Sequence, residues 1–407
     1  MIEVYKENTW LKEDSMDIVI KIMTFMISPF ISFLYSLKRI NTRSSFVVFF
    51  LFALIYGLCF TVIADNLDVW EHNDAAKWRF RFENTNIYTI SDYVDFCSEY
   101  FLFIGTEIHD LYFATLSFVV HFVSDNYHVF FMSAALVFSY FQLKSFRFLV
   151  DSPAFDNSIV CLMICMLFSL NTIANISVLR FATAAWMCVY GVLQFLYNRK
   201  VVYMVLLFVL PLIHRAFFFM YPVILLTSFY RDKSFWKYSY FFSVLFSGFS
   251  IYIIRDATNY LPSFLSGMIE AYTVETTFER NSLTKTFLTS INIIYDNVLF
   301  ILIMNKTKTY LPEKVKSMYQ FTLIFMSIVN FVMPVPSLGG RFATISEVFI
   351  AFLWLNIMGT KNKYNILIYL MPLFLIRKLY IVSMTLVKFQ DISILYTNPF
   401  TLISSHL

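Results

Sequence analysis

The sequence predicts an all-α fold: a polytopic bundle of transmembrane helices forming one integral membrane domain over residues 1–407. Three observations carry this. The chain is 59% hydrophobic and only 14% charged, against about 25% charge in an ordinary soluble domain, and its mean hydropathy is +0.66. Apolar runs long enough to cross a bilayer recur along its length. Lysine and arginine gather at alternate junctions between them, as the retention of positive loops on the cytoplasmic side requires.

In chain order the apolar runs lie near 18–37, 46–64, 127–143, 157–173, 177–197, 202–213, 216–230, 238–254, 287–304, 318–334, 341–358 and 364–387, giving about twelve crossings. The polar start Met1–Asp17 and the Lys38, Arg39 and Arg43 that follow Ile18–Leu37 mark the first run as an anchor, not a cleaved leader. The junctions at 38–45, 144–147, 198–200, 231–237, 305–317 and 361–363 hold 16 of the 31 Lys and Arg residues and fall on one side under strict alternation. Both termini are then external. Residues 65–126 and 255–286 form the two large external segments.

The first external segment is acidic. Asp65–Asp110 contains ten Asp and Glu residues against Lys77, Arg79 and Arg81. Phe96–Gly105 reads as interfacial. Leu111–Val123 is apolar but only about 20 Å long as a helix, so it reads as a re-entrant element that dips in and returns. The second segment includes Leu261-Pro262 and the charged stretch Glu275–Lys285.

Val201–Tyr230 needs a different shape. Arg199 and Lys200 precede it, and Arg231, Lys233 and Lys237 follow, so both ends belong inside and the run must be a hairpin. Thirty residues divided into two helices give about 20 Å each, less than a hydrocarbon core of ~30 Å. His214-Arg215 at the tip therefore sit below the far surface, where a cation needs water or an anionic partner.

Several chemistries are disfavoured. The chain has no Gly-rich phosphate loop, GxGxxG, HExxH, CxxC or G-x-S-x-G, so no cofactor or metal is expected. A net charge of +4 with basic residues sorted by membrane side gives no support to nucleic-acid binding. Five cysteines, four of them in apolar runs, do not make a disulfide framework. Eight glycines are few for helices that break and rock as transporters do. The 75 Phe and Tyr residues read as lipid-facing and interhelical surface.

What remains is a set of arginines at external helix starts. Arg180, in Ser177-Val-Leu-Arg-Phe-Ala-Thr, begins one span, and Arg341, in Ser337-Leu-Gly-Gly-Arg-Phe-Ala-Thr, begins another. With Arg215 they suit bidentate contacts to diphosphate, and Gly339-Gly340 leave backbone N–H groups open at a helix N-terminus. Arg377-Lys378 lie within the last apolar run and either line the same cavity or mark a break. Glu107 and Asp110 stand at the entrance to the dipping helix, where a carboxylate could act as general base. His214 is either a base or a second diphosphate donor. Asp74, Asp92, Asp95 and Glu99 read as solvated charges, and His121 as a satisfied core residue.

Thr106-Glu107-Ile-His-Asp-Leu-Tyr, Arg180-Phe-Ala-Thr-Ala, the Lys/Arg turn, Leu212-Ile-His214-Arg-Ala, Gly-Gly-Arg341 and Leu395-Tyr-Thr-Asn-Pro399 together resemble the bacterial O-antigen polymerases of the Wzy type and the EpsG-like membrane glycosyltransferases. Ile108 and Phe181 stand where that family often has Pro and Gln. The resemblance implies a GT-C-like bundle in the bacterial inner membrane, its active site facing the periplasm or exterior. It would join oligosaccharide repeat units carried on polyprenyl diphosphate, with the bilayer and a chain-length regulator as further partners. A lipid-linked glycan ligase would use the same arginine logic, and a flippase for such lipids would also need a basic cavity.

Overall fold

The computed structural model describes residues 13–37, 42–61, 74–102, 111–150, 176, 178–229, 233–260, 294–305, 313–335, 338–358 and 392–407. Among these the regular elements are helices: α1 Ser15–Ile27, α2 Pro29–Leu37, α3 Arg43–Leu58, α4 Asp74–Glu83, α5 Ile90–Leu102, α6 Leu111–His121, α7 Tyr127–Val150 and α8 Leu179–Val192. There follow α9 Met204–Ile213, α10 Met220–Phe229, α11 Lys233–Phe246, α12 Ser250–Ala257, α13 Ile294–Asn305, α14 Glu313–Val332, α15 Leu338–Met358 and α16 Pro399–His406. The expected runs at 157–173 and 364–387 lie outside the described residues.

The core is a packed layer of helices around α7, α8 and α14. α7 lies between α3 and α8, α14 between α11 and α15, and α15 returns to α8. Three described stretches are long and apolar enough to cross a membrane, namely Tyr127–Phe148, Leu179–Tyr197 and Lys314–Val332. Shorter apolar helices surround them, including Arg43–Leu58, Leu111–His121, Val201–Ile213, Arg215–Phe229 and Ile294–Asn305. The described residues establish three helices of spanning length with shorter apolar companions, and they do not establish the expected count of about twelve crossings.

Several boundaries differ from expectation for identifiable reasons. The run 18–37 is two helices. Ser28 adopts an extended conformation (φ −154°, ψ 118°) before Pro29, as a residue preceding proline prefers, and Ser32 Oγ then donates 2.8 Å to the Lys21 carbonyl. Lys21, in the middle of the run, is 1% exposed because Glu13, Asp17, Thr42 and Ser44 surround its ammonium. The expected loop at 144–147 is helix, since α7 continues to Val150. Lys144 holds its Nζ over Phe46 and Tyr140, 5.8 and 5.6 Å from their ring centres, which lets a charge sit within a helical span. The run 238–254 is divided by a 3₁₀ turn at Ser247–Phe249.

The hairpin at Val201–Tyr230 forms. His214 is extended (φ −152°, ψ 114°) between α9 and the 3₁₀ turn Arg215–Phe219. Tyr221 Oη donates 2.6 Å to the Phe208 carbonyl. Thirteen residues of continuous helix would separate those positions by about 20 Å, so the chain folds back at His214.

The acidic segment is less loop-like than expected. α4 buries Ala75, Ala76, Trp78 and Phe82 and packs on α7. Asp92 caps α5: its carboxylate accepts from the N–H of Thr89 at 2.9 Å, and Thr89 Oγ1 accepts the Asp92 N–H in return. The Thr89 N–H first, then the Thr89 hydroxyl, holds the Asp92 carboxyl below its usual range. His121 is satisfied as expected, stacked 4.2 Å from Phe82 and bonded to Asp125 Oδ1 and the Phe82 carbonyl.

The crossing of α3 on α7 depends on Gly57, where a Cβ would stand 2.7 Å from the Met132 Cα. Gly57→Val should therefore push α3 off α7 and destabilise the protein by about 1–3 kcal/mol. A lower midpoint for thermal unfolding in detergent, at unchanged helical content, would show it; an unchanged midpoint would contradict the tight crossing.

Candidate functional site

The site lies where four chain segments meet: the first turns of α4, α8 and α15, and the tip of the α9–α10 hairpin. α8 leads away from this point, and α9 packs against it and returns the chain. His214 consequently comes to rest beside Phe181, with ring centres 5.4 Å apart and edge to face. Phe181, Phe217 and Phe342 pack mutually at 5.3–5.4 Å, and Phe219 adds a ring 4.5 Å from Phe342. This aromatic cluster locks the hairpin tip to both arginine-bearing helices.

Arg180 and Arg341, 161 positions apart in the sequence, are brought together here. Arg341 Cζ lies 5.7 Å from the centre of the Phe181 ring, and Arg180 is the residue before Phe181. These are also the two guanidinium charges that act on the His214 ring. Arg180 stacks on Trp78 at 4.0 Å, with Arg81 at 5.3 Å from the same indole. Arg341 Nη2 donates to Asp74 Oδ2 at 3.1 Å. Asp74 and Trp78 are four residues apart on one face of α4, so a single short helix touches both arginines.

This corrects the reading of Asp74 as a plain solvated charge. Asp74, Trp78 and Arg81 were missed because their partners are remote in sequence. One signal was present: Ala75, Trp78 and Phe82 follow the i, i+3, i+7 spacing of a buried helix face.

His214 is 7% exposed. Its Nδ1 accepts the Ala216 N–H at 3.3 Å, which requires an unprotonated Nδ1 and so places the proton of a neutral ring on Nε2. The imidazole thus presents a donor to its surroundings. Arg215 opens the 3₁₀ turn and is half-buried. Glu107, Asp110 and Arg377 lie outside the described residues, although α6, directly after Asp110, reaches α8 where Thr183 Oγ1 bonds Tyr112 Oη at 3.3 Å.

The start of α15 is shaped by its glycines. A Cβ on Gly339 would lie 2.5 Å from the Met333 Cα and 2.6 Å from its carbonyl oxygen, whereas one on Gly340 meets nothing within 4 Å. Gly339 permits the tight turn that brings Arg341 round. Gly340 leaves space beside a helix N-terminus, an arrangement that receives anions.

The fold and site define a helical membrane protein in which Arg180 and Arg341 are both met by one face of α4. Residues 80–398 match the EpsG family, and the chain belongs to that family, whose members are polysaccharide polymerase-like membrane proteins. The match begins just after Asp74 and Trp78. No curated protein and no solved structure matches the chain.

The two glycines make opposite predictions. Gly339→Ala should lower the thermal midpoint in detergent and displace Arg341, while Gly340→Ala should leave the midpoint within about 1 °C of wild type. Equal effects would show that the turn before α15 is not tight.

Proposed function

We propose that this chain is a polysaccharide polymerase of the Wzy type, joining oligosaccharide repeat units carried on polyprenyl diphosphate at the outer face of the bacterial inner membrane. The observation that carries the reading is the convergence of Arg180 and Arg341 at helix starts within an EpsG-family membrane protein. Glycosyl transfer from a lipid diphosphate places new negative charge on the departing phosphate. Preorganised cations stabilise that charge more in the transition state than in the ground state.

Each residue has a role in this scheme. Arg180 and Arg341 hold the diphosphate oxygens, and Arg215 adds charge from the hairpin tip. His214, through Nε2–H, donates a further hydrogen bond to the phosphate. The Gly340 N–H region adds backbone donors. The lipid tail would lie along the short apolar helices, and the glycan would extend past α4 into the external segment.

Replacing Arg180 or Arg341 by Lys retains charge but removes the planar fork. Chain elongation by purified protein on lipid-linked repeats should fall at least tenfold in each variant at normal protein level, and full activity in both would reject the clamp. In cells lacking the protein, long glycans should disappear while single repeats still reach the surface. Loss of single repeats as well would favour the ligase or flippase instead.

A further inference from the structure

We infer that Asp74 is the general base that takes the proton of the attacking hydroxyl, an assignment that rests on the polymerase reading above and adds the proton acceptor it lacks. The chemistry requires such a group within hydrogen-bond reach of the acceptor sugar. His214 is poorly arranged for it: Nδ1 is occupied by the Ala216 N–H, and Nε2 already carries the proton. Among the described residues, the carboxylate that an ion pair holds against Arg341 is Asp74.

Its geometry suits the task. Arg341 engages Oδ2 at 3.1 Å, which fixes the carboxylate beside the phosphate-holding group while Oδ1 remains to accept a hydroxyl. The side chain of Asp74 is 43% exposed and that of Arg341 27%, so a substrate can reach both. The charged groups around Asp74 are Arg341 from α15, Arg180 from α8 through Trp78, and Lys77 and Arg81 on its own helix. His121, on α6, stacks on Phe82, two turns along α4 from Asp74, and His128, on α7, bonds the Leu58 carbonyl.

Arg341 thereby stands between the proposed base and the diphosphate it would hold. The hydroxyl oxygen then bonds to the anomeric carbon of the donor as the bond from that carbon to the diphosphate oxygen breaks. The hydroxyl proton passes to Asp74 Oδ1, the electron pair leaves on the diphosphate held by Arg180 and Arg341, and water removes the proton afterwards.

The test uses the full-length protein in lipid nanodiscs with polyprenyl-diphosphate-linked repeat units, following elongation against pH. An ionised base gives an acidic limb, with rate falling as pH drops. Asp74→Asn keeps the shape and an oxygen for Arg341, so kcat should fall by about 10²–10⁴ with KM within a few-fold, and the acidic limb should vanish from the residual rate. His214→Gln should keep the limb. Asp74→Asn with near-normal kcat, or with the limb intact, overturns the assignment, as does loss of the limb in His214→Gln. Should Asp74→Asn fail to fold, Asp74→Glu decides: a reduced kcat with the limb retained supports the base, and a lost limb refutes it. A wild-type protein that binds the lipid-linked repeats without elongating them would instead overturn the polymerase reading and this assignment together.

Discussion

Two guanidinium groups held close together at the starts of two helices are the constraint around which this end of the molecule is organised. Each sits at the positive end of a helix dipole, where a cation is disfavoured by a few tenths to about 1 kcal/mol even at a solvated surface, and each repels the other. α4 answers both with one face. Trp78 offers the negative face of its indole to Arg180 and Asp74 offers a carboxylate to Arg341. The positive potential of two cations at helix starts is matched to a polyanionic ligand.

The aromatic cluster explains why that potential is directed to one side. Phe181, Phe217, Phe219 and Phe342 close beneath the arginines, and Ala184, Ala185 and Phe325 continue the apolar core below them. Charges bounded by a low-dielectric wall interact more strongly with an anion on their open side than they would in water. His214, packed edge to face on Phe181 and bonded through Nδ1 to the Ala216 N–H, links the hairpin tip to the site.

Much of this was legible in the sequence, and the failures share a cause. The apolar runs located α7, α8 and α14, and the paired positive flanks of Val201–Tyr230 implied the reversal at His214. The starts at Arg180 and Arg341 were visible from their flanking residues. Charge used as a boundary marker misled at Lys144, because a lysine within a helical run can hold its ammonium over aromatic rings. Composition misled at Asp74: ten acidic residues in one segment suggested a solvated loop, while the contact that defines this one spans 267 positions. Pairings over such distances follow from how α8 and α15 pack together, which local pattern does not encode.

The scarcity of glycine carries one further step. Three of the described glycines admit close backbone or side-chain approach: Gly57 against α7, Gly191 against Leu207, and Gly339 against Met333. The chain breaks its helices by other means, at Ser28-Pro29, at extended His214 and at the 3₁₀ turn Ser247–Phe249. Glycines used for close approach fix helices against one another, and an extended residue capped by its own side chain fixes a turn. The arginine pair is thereby held by contacts that resist sliding, as a preorganised electrostatic site requires, since cations that had to be gathered at each turnover would lose in reorganisation much of what they contribute to the departing phosphate.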